Sequence, residues 1–157
     1  MARLAVSLKR VKAMKRIYAK EDVCIGCRLC EIYCIFEHSG HHTLVKAFSD
    51  QEGLPEPAVR VEEDGAISFA LQCRHCEDAP CLAACIAGAM TRDAQTGAVK
   101  HDEDKCVGCW SCIMVCPFGA IRTNMETHKV GSKCDLCAGK DTPACVAHCP
   151  NEALVYE

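Results

Sequence analysis

Sixteen cysteines in a chain of 157 residues are the side chains with the most chemistry to offer. They fall into four groups. Cys24, Cys27, Cys30 and Cys34 lie in CIGCRLCEIYC, and Cys106, Cys109, Cys112 and Cys116 in CVGCWSCIMVCP, both spaced C-x2-C-x2-C-x3-C. Cys73, Cys76, Cys81 and Cys85 in CRHCEDAPCLAAC, and Cys134, Cys137, Cys145 and Cys149 in CDLCAGKDTPACVAHCP, keep the outer spacings and lengthen the middle one. Three thiolates at short spacing on a tight loop reach three iron corners of a [4Fe-4S] cube from one side, and the fourth ligand must come from elsewhere. Structural zinc also uses C-x2-C, but as separated pairs and not as runs of three. Disulfides across neighbouring C-x2-C loops would be strained. No group lacks a thiolate, so nothing points to a [3Fe-4S] site, and four [4Fe-4S] clusters are expected.

The short spacing is that of bacterial ferredoxins, where the x3 cysteine sits one helical turn on and ligates the partner cluster. Which groups are partners follows from the elements that must position them. Met90–Arg92 and Ala98–Lys100 flank turn-prone Asp93, Gln95 and Gly97 and predict a hairpin between groups two and three, which pairs those two. Groups one and four then pair, with Arg16–Ala19 and Ala153–Tyr156 predicted to join as strands and close the fold. The expected ligand sets are Cys24, Cys27, Cys30 and Cys149; Cys34, Cys134, Cys137 and Cys145; Cys73, Cys76, Cys81 and Cys116; and Cys85, Cys106, Cys109 and Cys112. A second hairpin is expected from Ala58–Val61 and Ile67–Leu71 about a Glu63-Asp64-Gly65 turn. Short helices are expected at Leu29–Phe36, Leu82–Ala87, Ser111–Val115 and Ala144–His148, each carrying the fourth cysteine of its group.

The fold class expected is therefore α+β: two nested bacterial-ferredoxin-like modules of two [4Fe-4S] clusters each, with short helices, short β-hairpins and long loops. Residues 1–14 form a basic N-terminal extension, 15–34 and 117–157 an outer module, 35–72 a hairpin insertion, and 73–116 an inner module.

Composition narrows the function. Aromatic residues make up only 5% of the chain, too few for an ordinary apolar core of this length, so metal must replace part of it. The formal charge is −3, and four oxidised clusters with their thiolates, each about −2, take it to about −11. That argues against a nucleic-acid partner, which needs a basic field. The basic residues Arg3, Lys9, Arg10, Lys12, Lys15 and Arg16 precede no apolar run of about 7–15 residues, and no stretch approaches the roughly 18 apolar residues of a membrane span. The expectation is a cytoplasmic protein without direct membrane insertion, attached to a membrane only through a partner. No G-x-G-x-x-G loop, P-loop or catalytic triad is present, so no catalysis is expected of the chain itself.

Other residues invite two readings each. His38, His41 and His42 in EHSGHH could bind a metal, but a polar loop of this kind is expected to be a solvated turn. Arg28, Arg74 and Lys133 adjoin cysteines and could raise a cluster's potential, with surface solvation an equal alternative. Trp110 is expected to pack over a cluster and exclude water. Gly26, Gly108 and Gly119 meet the backbone needs of tight loops.

Quartets in this order resemble the four-cluster ferredoxin subunits of molybdopterin oxidoreductases and hydrogenases over nearly the whole chain from Lys15 onward. Within that family CIGCRLCEIYCIFEHSG, ISFALQCRHCEDAPC, CIAGAM and CVGCWSCIMVCPFGAI look most like the electron-transfer iron-sulfur protein that accompanies anaerobic nickel carbon monoxide dehydrogenase. The resemblance implies carbon monoxide dehydrogenase as electron donor and a hydrogenase, a flavoprotein reducing NAD(P) or another reductase as acceptor. The alternative it implies is the iron-sulfur subunit of a molybdopterin or tungstopterin oxidoreductase acting on formate or an aldehyde, or of a hydrogenase. In the wider family proline follows the last cysteine of group two, where this chain has Ile86, while Pro117 and Pro150 keep the pattern.

Overall fold

The computed structural model describes residues 14–49 and 53–157, so the basic extension lies outside the described residues apart from Met14. The chain forms β1 (Ile17–Ala19), α1 (Leu29–His38), α2 (Leu44–Ser49), β2 (Val59–Asp64), β3 (Ile67–Gln72), α3 (Pro80–Ala83), β4 (Met90–Arg92), β5 (Val99–His101), α4 (Ser111–Met114), β6 (Ile121–Asn124), β7 (Lys129–Lys133), α5 (Ala144–Ala147) and β8 (Leu154–Tyr156). This is a small α+β fold. Its strands pair as four antiparallel ribbons, β1–β8, β2–β3, β4–β5 and β6–β7. No helix among the described residues is long and apolar enough to cross a membrane.

Ribbons this short do not stand alone in water and must be held by what they pack on. Ile17 and Leu154, both almost fully buried, bring the β1–β8 ribbon onto Val59, Val61 and Ala70 of the β2–β3 ribbon. Gln72 ties the two together, its amide Nε2 donating to the Ile17 carbonyl at 3.0 Å. Glu31 in α1 accepts the Val61 N–H at 2.6 Å and docks the helix on β2. A second core gathers Met90, Val99, Ile121 and Val130, one from each strand of the β4–β5 and β6–β7 ribbons. Cysteines are members of both cores: Cys30, Cys34 and Cys145 in the first, Cys81 and Cys112 in the second.

Single-turn helices such as α3, α4 and α5 are too short to be stable in isolation, so their order comes from the cores they complete. Two expectations for them need correction. Group two's helix begins at Pro80, at the first-turn position where a missing N–H costs nothing, and ends at Ala83, and does not run from Leu82 to Ala87. Cys85, Cys116 and Cys149 then follow the ends of α3, α4 and α5, and only Cys34 lies inside its helix. Two elements were not expected at all. These are α2, and the β6–β7 ribbon, whose alternation is broken by an irregularity between Arg122 and Thr123. The turn of the β2–β3 hairpin falls on Gly65 and Ala66, one step later than Glu63-Asp64-Gly65, because Asp64 still pairs with Ile67.

Candidate metal centre

All sixteen cysteines are free thiols. Three cavities are each lined by four of them. One, of about 340 Å³ counting its open mouth, has Cys24, Cys27, Cys30 and Cys149 around Val61 and Leu154. Another, also about 340 Å³, has Cys73, Cys76, Cys81 and Cys116 around Val99 and Ile121. A third, of about 310 Å³, has Cys85, Cys106, Cys109 and Cys112 beside Trp110 and Val130. The remaining thiols, Cys34, Cys134, Cys137 and Cys145, crowd one another: burial first, then the neighbouring Cys134, Cys34 and Cys137, raise the Cys145 thiol far above its ordinary value of 9.0.

A shared backbone rule builds the loops. The residue before the second cysteine is left-handed in every group: Gly26 (φ 65°), His75 (φ 45°), Gly108 (φ 71°) and Leu136 (φ 62°). That turn swings the first two thiols to one side, and glycine enters it without the cost of about 1–2 kcal/mol that other residues bear. Groups two and four offset that cost by burying the side chain. His75 is 1% exposed and Leu136 5%. At Gly108 the need is also steric, since an added Cβ would lie 2.2 Å from the His128 carbonyl oxygen.

Sulfur in these cups is met by N–H donors, as suits an electron-rich thiolate. Ala58 N–H points to Cys34 Sγ (3.3 Å), Met90 to Cys85 (3.4 Å), Leu136 to Cys134 (3.4 Å), Ala144 to Cys137 (3.4 Å) and Ala153 to Cys149 (3.2 Å). Without metal the most buried of these thiols resist ionisation. Burial, then Glu31, pushes Cys30 up to about 12, and burial, then Cys85, pushes Cys112 to about 11. Four thiolates crowded around one cavity, some of them buried, are tolerable only with multiply charged cations among them, which release their protons on binding. Donor type, donor number, cavity and N–H···S bonds all fit a cysteine-ligated iron-sulfur cluster.

The other singled-out residues are placed as follows. His38 is not part of a solvated turn. Its Nδ1 lies 2.8 Å from the Cys34 carbonyl oxygen and its Nε2 3.2 Å from Asp135 Oδ1, an oxygen that also accepts the Cys137 N–H. His38 thereby clamps α1 to the group-four loop, and the hydrogen bond to Asp135 raises its pKa to about 11. His41 and His42 are exposed. Arg28 lines the first cavity, bonds Glu63 Oε1 at 3.0 Å and also faces Glu31, so two carboxylates share its charge. Arg74 lies over the rings of Phe118 and Phe69, at 5.7 and 6.0 Å. Trp110 lines the third cavity and stacks on His128, its indole N–H without a partner among the described residues. Ile86 is 80% exposed. Sequence reasoning had no means to find His75, whose only local signal is its place before Cys76.

Such a molecule is an iron-sulfur protein by its ligands and its fold. It belongs to the family described as the 4Fe-4S dicluster domain, which matches residues 65–157, and [4Fe-4S] clusters are its cofactors. Group one precedes the matched segment, but relatives extend over it. The chain is 42% identical over 153 residues to an iron-sulfur protein of Rhodospirillum rubrum, covering 88% of this chain and 79% of that one. It is 36% identical over 154 residues to the electron transport protein HydN of Escherichia coli K12 (88% and 85% covered). To the thiosulfate reductase electron transfer subunit PhsB of Salmonella typhi it is 35% identical over 150 residues (87% and 71% covered).

Proposed function

We propose that this protein is the non-catalytic electron-transfer subunit of an oxidoreductase complex and binds four [4Fe-4S] clusters. The ligand sets would be Cys24, Cys27, Cys30 and Cys149; Cys34, Cys134, Cys137 and Cys145; Cys73, Cys76, Cys81 and Cys116; and Cys85, Cys106, Cys109 and Cys112. The observation that carries this is the convergence of four free thiols on each of three separate cavities, with the last four crowded together in the adjoining core. Clusters held by these thiolates would supply one-electron redox chemistry. The chain's part is to hold the thiolates, supply N–H donors to sulfur and exclude water. We also assign residues 15–34 with 117–157 to an outer ferredoxin-like module, 73–116 to an inner one and 35–72 to an insertion, a division supported by the β1–β8 and β4–β5 pairings.

The donor we favour is carbon monoxide dehydrogenase, with a hydrogenase, a flavoprotein reducing NAD(P) or another reductase as acceptor, on the resemblance of the segments around groups one, two and three. The second reading is the iron-sulfur subunit of a molybdopterin or tungstopterin oxidoreductase acting on formate or an aldehyde, or of a hydrogenase, and similarity to the electron transfer subunit of another reductase supports it. Anaerobic pull-down followed by substrate addition tests the choice. Carbon monoxide should bleach the cluster absorption only when the nickel dehydrogenase is present. Bleaching by formate, or return of the colour of the reduced protein on adding thiosulfate, through a co-purifying oxidoreductase would overturn the favoured donor.

A further inference from the structure

Among the described residues, the sulfurs of these cups receive hydrogen bonds mostly from backbone N–H groups, and at Cys73 a lysine ammonium joins them. Lys133, the last residue of β7, places Nζ 3.2 Å from Cys73 Sγ, 2.5 Å from the Val99 carbonyl oxygen and 3.1 Å from the Cys134 carbonyl oxygen. Its three donors are thus used on three elements. Cys73 belongs to one thiol quartet and Cys134 to another, so the ammonium sits at the seam between them. The same seam holds His75, whose Nδ1 accepts the Val99 N–H at 3.0 Å while its own backbone N–H faces Cys73 Sγ at 3.5 Å. Both polar groups of Val99 are therefore occupied by side chains from the metal-binding loops.

An electron added at such a place adds negative charge to a buried region, where water cannot screen it. Cys73 and Cys81 are buried, whereas Cys27 and Cys109 in the short-spaced groups are exposed. Burial alone would therefore make the middle of the molecule harder to reduce than its ends. A fixed ammonium in contact with a ligand sulfur opposes that. His75 does not supply the charge, because its Nδ1 accepts the Val99 N–H and a ring nitrogen that accepts carries no proton.

We propose that Lys133 is a positioning residue for electron transfer: it raises the reduction potential of the cluster held by Cys73, Cys76, Cys81 and Cys116, and to a lesser degree that of its neighbour on Cys134, so that the buried middle of the row is not an uphill step. This deepens the reading above and rests on it. The mechanism is charge in contact with a ligand sulfur, and it differs from a purely structural tie between β5 and β7, which a neutral side chain of similar length could partly replace.

The test is an anaerobic EPR-monitored redox titration of the full chain carrying Lys133→Met or Lys133→Arg, with iron counted in each. With Lys133→Met, one centre should become at least tenfold harder to reduce, a shift of 59 mV for a one-electron couple. A second centre should shift less and the other two should not move. Lys133→Arg, which keeps the charge, should stay within about threefold of wild type. Four unmoved potentials, a uniform shift of all four, or equal shifts in the Met and Arg variants would each overturn the proposal. If Lys133→Met loses iron, Lys133→Gln replaces it, and iron loss in both assigns Lys133 a structural role and also overturns it. Wild type with far fewer than about sixteen irons would sink the four-cluster reading itself, and the inference with it.

Discussion

The short-spaced groups one and three and the stretched groups two and four solve one geometric problem in opposite ways. Each must turn its backbone left-handed before the second cysteine. Groups one and three use glycine there, bury nothing, and leave Cys27 and Cys109 exposed. Groups two and four use His75 and Leu136, bury both side chains, and sit at the seam where Lys133 joins them. The longer middle spacing makes this possible: the extra residues end in Pro80 and Pro143, which turn the chain back into α3 and α5. The short-spaced groups thus make open cups, each with one exposed thiol although Cys30, Cys34 and Cys112 reach the cores, and the stretched groups make core cups with no exposed thiol. Open cups suit exchange with partners, and core cups suit holding the fold.

The comparison breaks most visibly if one ligand is removed from each kind of cup. Cys145→Ala should cost about four irons per chain and about 5 kcal/mol of stability, up to failure to fold, because Cys145 is a member of the first core. Cys27→Ala should also cost about four irons but no more than about 2 kcal/mol. Iron analysis with thermal unfolding measures both, and equal losses of stability would remove the distinction between core and open cups.

A smaller effect separates the two glycine loops. Gly108→Ala drives a Cβ against a backbone oxygen and should cost about 3 kcal/mol, roughly 6–12 °C in Tm. Gly26→Ala meets only the side chains of Glu63 and Ser68, at 3.4 Å or more, and should cost about 1 kcal/mol for its positive φ alone.

The smallest effect is chemical and belongs to the metal-free chain. Hydrogen bonds from Ser111 hold the Cys109 thiol below its ordinary 9.0, whereas burial raises Cys145. Thiolate is the reactive form, so alkylation at neutral pH should label Cys109 early and Cys145 last. As pH falls, labelling at Cys109 should persist to lower pH than at the buried thiols. Ser111→Ala should move its midpoint upward, as peptide mapping against pH would show.

Much of this was legible in the sequence because it is local. Cysteine spacing marks the four loops, and alternation with turn residues marks the β2–β3 and β4–β5 ribbons near their true bounds. The β6–β7 ribbon was missed because only Ile121 and Val130 mark its buried face strongly and an irregularity interrupts its register. Group two's helix starts earlier than its apolar run suggests because Pro80, a breaker inside a helix, is well suited to the first turn. His38 was misjudged because its partner Asp135 lies 97 positions away, and the Lys133–Cys73 contact spans 60. Such partners follow from packing, and no local pattern announces them.

Iron and acid-labile sulfide, counted on the anaerobically reconstituted full chain alongside its EPR spectrum, test the central claim most directly. The account predicts about sixteen of each per chain, with reduction of [4Fe-4S] centres. Zinc in place of iron, or about eight irons with half the cysteines still open to alkylation, would contradict it.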